Sequence, residues 1–265
     1  MSYVRWSAAG WRGWRADDTA VDVEACLGAD ATGRGRSSRH ARSQAVQTEH
    51  GRVFVKSYPP PGASRARRAF DMGKALAAAG FAAPRTLLVG ARDGGGLLVT
   101  ADAGGDDLLT AVGRLADGGP ERRRAKRAML RELGAEVARL HRAGFVHGDL
   151  VPPNLRWRDG ELVFLDNDRT RRAPIPALAR GARRNLVQLG RFVVPGVSLT
   201  DRARVLVAYA TGRGLGRRQR HRLAVWIIRK VTARRCAIDH IRPEVAARAG
   251  FRALMRSGGP FDPGA

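Results

Sequence analysis

Cysteine is almost missing from this chain: Cys26 and Cys236 stand far apart and without CxxC spacing. That excludes a disulfide framework or a zinc cluster and leaves two buried free thiols as the expectation. No apolar run is long enough to span a bilayer. The start, "MSYVRWSAAGWRGWR", lacks the uninterrupted apolar stretch of a secretory signal. A soluble, cytoplasmic chain is expected. Internal repeats and low-complexity segments are absent too. Acid is scarce, with 24 Asp and Glu against 48 Lys and Arg and a formal net charge of +24. A field of that sign draws in anions such as nucleotides, phosphorylated lipid headgroups or nucleic acid. A composition that fills solvated positions with Arg explains the excess equally well. Lysine is rare. Only Lys56, Lys74, Lys126 and Lys230 occur, so each stands where Arg was not substituted.

What is present falls into two halves. The first hundred residues read as strands with one helix. "RSQAVQTEHGRVFVKSY" suggests a hairpin, "PPPG" at 59–62 breaks it, and 63–79 has helical spacing at Phe70, Gly73, Leu76 and Ala77, closed by Gly80. "PRTLLVG" and "GGLLVT" form a second hairpin. The Gly-rich, acidic "ADAGGDD" at 101–107 reads as a hinge. Helical patterns dominate afterwards. Along 121–144, Met129, Leu130, Leu133, Val137 and Leu140 make one apolar face, and "NLRWRDGELVFLD" is strand, Asp-Gly turn, strand. The expected architecture is α+β: a β-rich lobe over 1–100, the hinge, and a helical lobe over 108–265. In the first lobe the Trp rings of "GWRGWR" are expected to pack on the sheet rather than form an interfacial segment.

Three fragments carry the chemistry: "VFVKSY" with Lys56, "HGDLVPPNL" with Asp149 and Asn154, and "VFLDND" with Asp166, twelve positions after Asn154. Phosphoryl transfer from ATP requires metal ions on the phosphates, a cation on their oxygens and a carboxylate aimed at the acceptor hydroxyl. An Asp and an Asn five residues apart on a loop stiffened by two prolines suit two of those roles. Asp166 offers hard oxygen to Mg²⁺. Lys56 would reach the α- and β-phosphates. His147 is expected to hold the loop rather than shuttle protons. Asp168 and Arg169 are read as a surface ion pair, a second acidic ligand or a substrate contact.

In order and spacing these fragments resemble the protein-kinase-like superfamily. "HGD" is the form seen in small-molecule and bacterial kinases of that fold. Within it, "KSYPPP…RARRAFDMGKALAAAGFAAPRTLLVG" and "FLDNDR" are similar to the lipopolysaccharide core kinases, and Asn154 favours the branch acting on the octulosonic acid Kdo over the heptose branch. The resemblance implies a two-lobed kinase fold, ATP and Mg²⁺ as cofactors, and an alcohol group as acceptor. Asp149 would be the base or orienter for the acceptor hydroxyl, Asn154 and Asp166 metal ligands, and Lys56 the phosphate clamp. Gly33 and Gly35 would cover the phosphates, and Ala101 and Ala103 would offer backbone hydrogen bonds to adenine. An anionic glycolipid or sugar is the implied substrate, with peripheral contact at the inner membrane surface. The alternatives are an aminoglycoside-type or RIO-type kinase, or a basic kinase-fold module that binds nucleic acid. One departure stands out. Kinases pair the strand Lys with a Glu on the first-lobe helix, yet no Glu occurs between Glu49 and Glu121. Asp71 is the one acid on that helix, so the ion pair is absent, water-bridged or formed only on closure.

Overall fold

The computed structural model describes residues 2–18, 20–32, 36–37, 41–116 and 118–256. The chain separates into two compact units, Met1–Gly104 with Val163–Thr170, and Gly105–Leu162 with Arg171–Ala265.

The first unit is built on strands β1 (Tyr3–Ala8), β2 (Trp11–Ala16), β3 (Arg36–Ser37), β4 (Arg42–Thr48), β5 (Gly51–Tyr58), β6 (Thr86–Arg92) and β7 (Gly95–Ala101), with helices α1 (Val23–Thr32) and α2 (Ala63–Ala78). The strands form one sheet in the order β1-β2-β6-β7-β5-β4-β3. Two-residue turns set its registers. Ala9-Gly10 and Asp93-Gly94 each place both residues at positive φ, the twist that matches flanking antiparallel strands.

Strand alternation assigns the two faces. Val53 and Val55 of β5 join Trp11, Leu88, Leu97 and Val99 on one side. Tyr58, Val89 and Leu98 pack under Ala66, Ala69 and Phe70 of α2 on the other. Lys56 pairs in register with Leu98 and so lies on the α2 side. The N-terminal Trp residues do pack on the sheet: Trp6 and Trp11 on the first face, Trp14 with Tyr3 on the second.

One helix was expected among the first hundred residues, and α1 is a second. "VDVEACL" alternates like a strand, but Val23, Cys26 and Leu27 share a helical face that covers the sheet. Asp22 Oδ1 accepts from Ala25 N at 2.8 Å and starts the helix. Cys26 is buried, and burial, with help from Asp22, pushes its thiol up to about 11. Cys236 is half-buried rather than buried, and both cysteines are free. Helix α2 ends as its Gly80 suggests: Gly80 has φ 76° and Phe81 N donates back to Leu76 O at 3.0 Å.

The second unit holds β8 (Asp106–Asp107), α3 (Leu108–Ala116), α4 (Pro120–Arg142), β9 (Phe145–Val146), β10 (Leu155–Arg158), β11 (Glu161–Phe164, whose last two residues belong to the first unit), β12 (Arg171–Arg172), α5 (Ile175–Gly190), α6 (Leu199–Gly212), α7 (Arg217–Ile238) and α8 (Pro243–Leu254). Helix α4 buries the five apolar residues its spacing marks, together with Gly134. A Cβ at Gly134 would lie 2.3 Å from Val205 O of α6, so only glycine permits that crossing. Ser198 and Asp201 cap α6 reciprocally. Lys126 of α4 reaches the same carboxylate at 3.0 Å, so this lysine belongs to a packed ion pair rather than to a solvated basic face.

Candidate active site

The loop between β9 and β10 carries Asp149 and Asn154. Phe145 to Leu155 is largely buried, and Asp149 is half-exposed within it. The loop is held by its own backbone first. Asp149 O accepts from Val151 N at 2.9 Å and from Asn154 Nδ2 at 3.0 Å, and a short 3-10 turn at Pro152–Asn154 closes it. Asp149 N donates to His147 Nδ1 at 3.1 Å, so His147, fully buried, braces the loop.

Helix α5 holds the same loop from its other side. Arg184 Nη2 donates to Gly148 O at 3.2 Å. Asn185 Oδ1 accepts from His147 N at 3.0 Å while its Nδ2 donates to His147 O at 2.7 Å. Gln188 Nε2 donates to Asp149 Oδ1 at 2.9 Å, and its Oε1 accepts from Asn185 Nδ2 at 2.9 Å and Leu150 N at 3.3 Å. The spacing 184, 185, 188 puts all three on one helical face. Sequence reading missed them. Their signal was two amides, Asn185 and Gln188, set among Leu186, Val187 and Leu189 at the end of the helix, after Arg180, Arg183 and Arg184. Buried polar groups keep hydrogen-bond partners, so amides on such a face mark something being held.

His141 of α4 extends this network. Its Nε2 donates to Asn185 Oδ1 at 3.1 Å and its Nδ1 faces Tyr209 Oη at 3.0 Å. Burial drives the imidazole down to about 4, against the opposing pull of the Asn185 bond. The unfolded histidine titrates near 6.5. Stability is therefore fully present above pH 6.5 and is lost as pH falls from there through about 4, by up to about 3 kcal/mol. Urea unfolding at stepped pH should show this slope, and His141→Gln should flatten it. An equal slope in both proteins would remove His141 as its source.

In the first unit Lys56 Nζ lies 2.5 Å from Asp166 Oδ1 and 2.7 Å from Asp168 Oδ2, above the Tyr58 ring at 5.6 Å. Burial alone would lower the ammonium, but the Asp168 and Asp166 carboxylates outweigh it and hold it above its ordinary value. Asp166 adopts a left-handed backbone, φ 53° and ψ 56°, an unfavoured conformation for a residue with a Cβ and one found at functional turns. The turn Asn167–Arg169 follows. Asn167 Nδ2 donates to Phe164 O at 2.8 Å, and Thr170 Oγ1 donates to Asn167 Oδ1 at 3.2 Å. These bonds brace the turn that carries Asp168.

Asp71 does not replace the missing glutamate: its carboxylate is taken by Arg67 at 2.9 Å on its own helix. Of the residues expected to contact adenine, Ala101 commits its N–H to Arg85 O at 2.8 Å. Ala103 is buried. Gly33 and Gly35 lie outside the described residues.

Among the described residues no cluster of three or more His, Cys, Asp or Glu side chains forms a metal cage. Mg²⁺ binds through one or two carboxylates and keeps the rest of its shell for water and phosphate. Two carboxylates already converge on one cation, the Lys56 ammonium, and both are hard oxygen donors.

A sheet-based first region, a helical second one, a strand lysine paired to an acid 110 positions on, and an HGD loop define a protein-kinase-like fold. The family model for lipopolysaccharide kinase (Kdo/WaaP) matches residues 35–209, more than half of the chain. The chain belongs to that family. Solved structures agree on the fold. A WaaP structure in complex with acyl carrier protein has TM-score 0.58 at 22% identity over 77% of this chain and 90% of that one. An amicoumacin kinase in complex with AMP-PNP, Ca²⁺ and Ami has TM-score 0.52 at 14% identity over 87% and 90%. The KEOPS complex subunit Bud32 of Pyrococcus abyssi is 47% identical over 36 residues, 14% of this chain and 16% of that relative's length.

Proposed function

We propose that the chain is an ATP- and Mg²⁺-dependent kinase that phosphorylates a sugar hydroxyl of the lipopolysaccharide inner core, on Kdo or heptose. The observation that carries this reading is the pairing of Lys56 with Asp166 across 110 residues of sequence. Catalysis of phosphoryl transfer is mostly positioning and electrostatics. Asp149 takes the role of accepting the acceptor hydroxyl's proton. Its Oδ1 is fixed by Gln188, which orients the carboxylate before substrate arrives. Lys56 holds phosphate oxygens. Asp166 and Asn154 would hold Mg²⁺, which supplies positive charge to those oxygens. Ala101 and Ala103 serve adenine, and Gly33 and Gly35 the phosphates.

Two features support an anionic, lipid-bearing acceptor. Helix α7 has no acid along its length and places Arg218, Arg222, Val225 and Arg229 in one exposed column. Cations interleaved with exposed apolar side chains suit an anionic membrane surface better than nucleic acid. In addition, an apolar cavity of about 280 Å³ opens in the second unit among Leu130, Leu133, Leu186, Val205, Ile227 and Val231. A space of that kind accepts an acyl chain, and the similar WaaP structure was solved with acyl carrier protein.

Transfer of labelled γ-phosphate to a panel of acceptors tests the reading. Inner-core lipopolysaccharide in anionic vesicles is expected to be labelled best, its deacylated core oligosaccharide with a higher KM. Aminoglycosides, repelled by a chain of charge +24, and basic protein should be labelled little. Preferential labelling of an aminoglycoside or of protein would refute the acceptor. RNA binding that falls steeply with salt, without any transfer, would refute the kinase.

A further inference from the structure

The strand lysine of a kinase needs an acidic partner that stays in place while the metal-binding acid is occupied. Helix α2 does not supply one, since it has no glutamate and its only acid, Asp71, is bound to Arg67. The structure offers another. Asp168 Oδ2 lies 2.7 Å from Lys56 Nζ, and both side chains are well shielded, at 18% and 20% exposure against 44% for Asp166. Helix α2 packs directly against the turn that carries Asp168. That turn is braced by hydrogen bonds from Asn167 to Phe164 O and from Thr170 to Asn167.

We propose that Asp168 is the positioning residue for Lys56, doing from the turn after Asp166 what a helix glutamate does in other kinases. The proposal rests on the kinase reading above. Without nucleotide, Asp166 and Asp168 share the ammonium. When Asp166 is drawn to Mg²⁺, Asp168 alone keeps Lys56 aimed at the phosphates.

This is tested by a double-mutant cycle read as ADP affinity, with and without Mg²⁺, in the full-length protein. Asp168→Asn keeps the shape and removes the charge. It should weaken ADP binding about tenfold with Mg²⁺ and little without it, since Asp166 then still holds Lys56. Lys56→Met should weaken Mg·ADP binding to a similar degree, and adding Asp168→Asn to Lys56→Met should cost nothing further. Asp168→Glu should recover part of the affinity, and Asp168→Ser serves if the asparagine variant fails to fold. Equal weakening by Asp168→Asn in the presence and absence of Lys56 would overturn the proposal, because Asp168 would then act on the metal or the fold by itself. Wild-type protein that binds no nucleotide would instead overturn the kinase reading and this proposal with it.

Discussion

Asp149→Asn is expected to lower phosphoryl transfer about a thousandfold while leaving nucleotide affinity within about twofold. The variant separates chemistry from architecture because of how the loop is built. Asn154 and Val151 bond to the backbone carbonyl of Asp149, not to its side chain, so an asparagine there leaves those contacts intact. Gln188 Nε2 still finds an oxygen to donate to. What disappears is the negative charge that draws the acceptor proton. Single-turnover transfer with labelled ATP, beside ADP titration and a melting curve, reads all three quantities. Transfer within tenfold of wild type would show that Asp149 is not the base.

The second large effect concerns stability. Asn185 is fully buried and joins His147 N and O, Gln188 Oε1 and His141 Nε2 through one amide. Asn185→Ala strands a backbone donor, a backbone acceptor and a ring N–H in a place water does not reach. Each unsatisfied group costs about 1–3 kcal/mol, and relaxation recovers part of the sum, so a loss of about 3–5 kcal/mol is expected. Urea unfolding measures it. Activity should fall as well, because the backbone around Asp149 loses its tie to α5. A loss below about 1 kcal/mol would mean that the network is not what fixes the loop.

Sequence and structure part where contacts are distant. Lys56, Asp149, Asn154 and Asp166 stood out as candidates in the sequence because their pattern is local: an acid in a proline-stiffened loop and an acid ending a strand are marked within a few residues. The hairpins at Asp93-Gly94 and Asp159-Gly160 were legible for the same reason, since a positive φ at two successive positions is a demand that few residue pairs meet. Helix α1 was not. Its seven-residue apolar pattern fits a strand or a helix, and only the sheet surface beneath Cys26 and Leu27 decides between them. Asn185 and Gln188 were passed over because an amide on a helix reads as solvent-facing until the chain 38 residues upstream is seen to pack on it.

By itself, then, the amino-acid order determined the fold class, the ordered set of acidic and amide groups, and the absence of a helix glutamate, all of them properties of short segments and their sequence. The tertiary structure decided which carboxylate meets Lys56 and what holds Asp149. Those depend on side chains more than a hundred residues apart for Asp166 and Asp168, and nearly forty for Gln188, where no local propensity acts and only packing sets the distance.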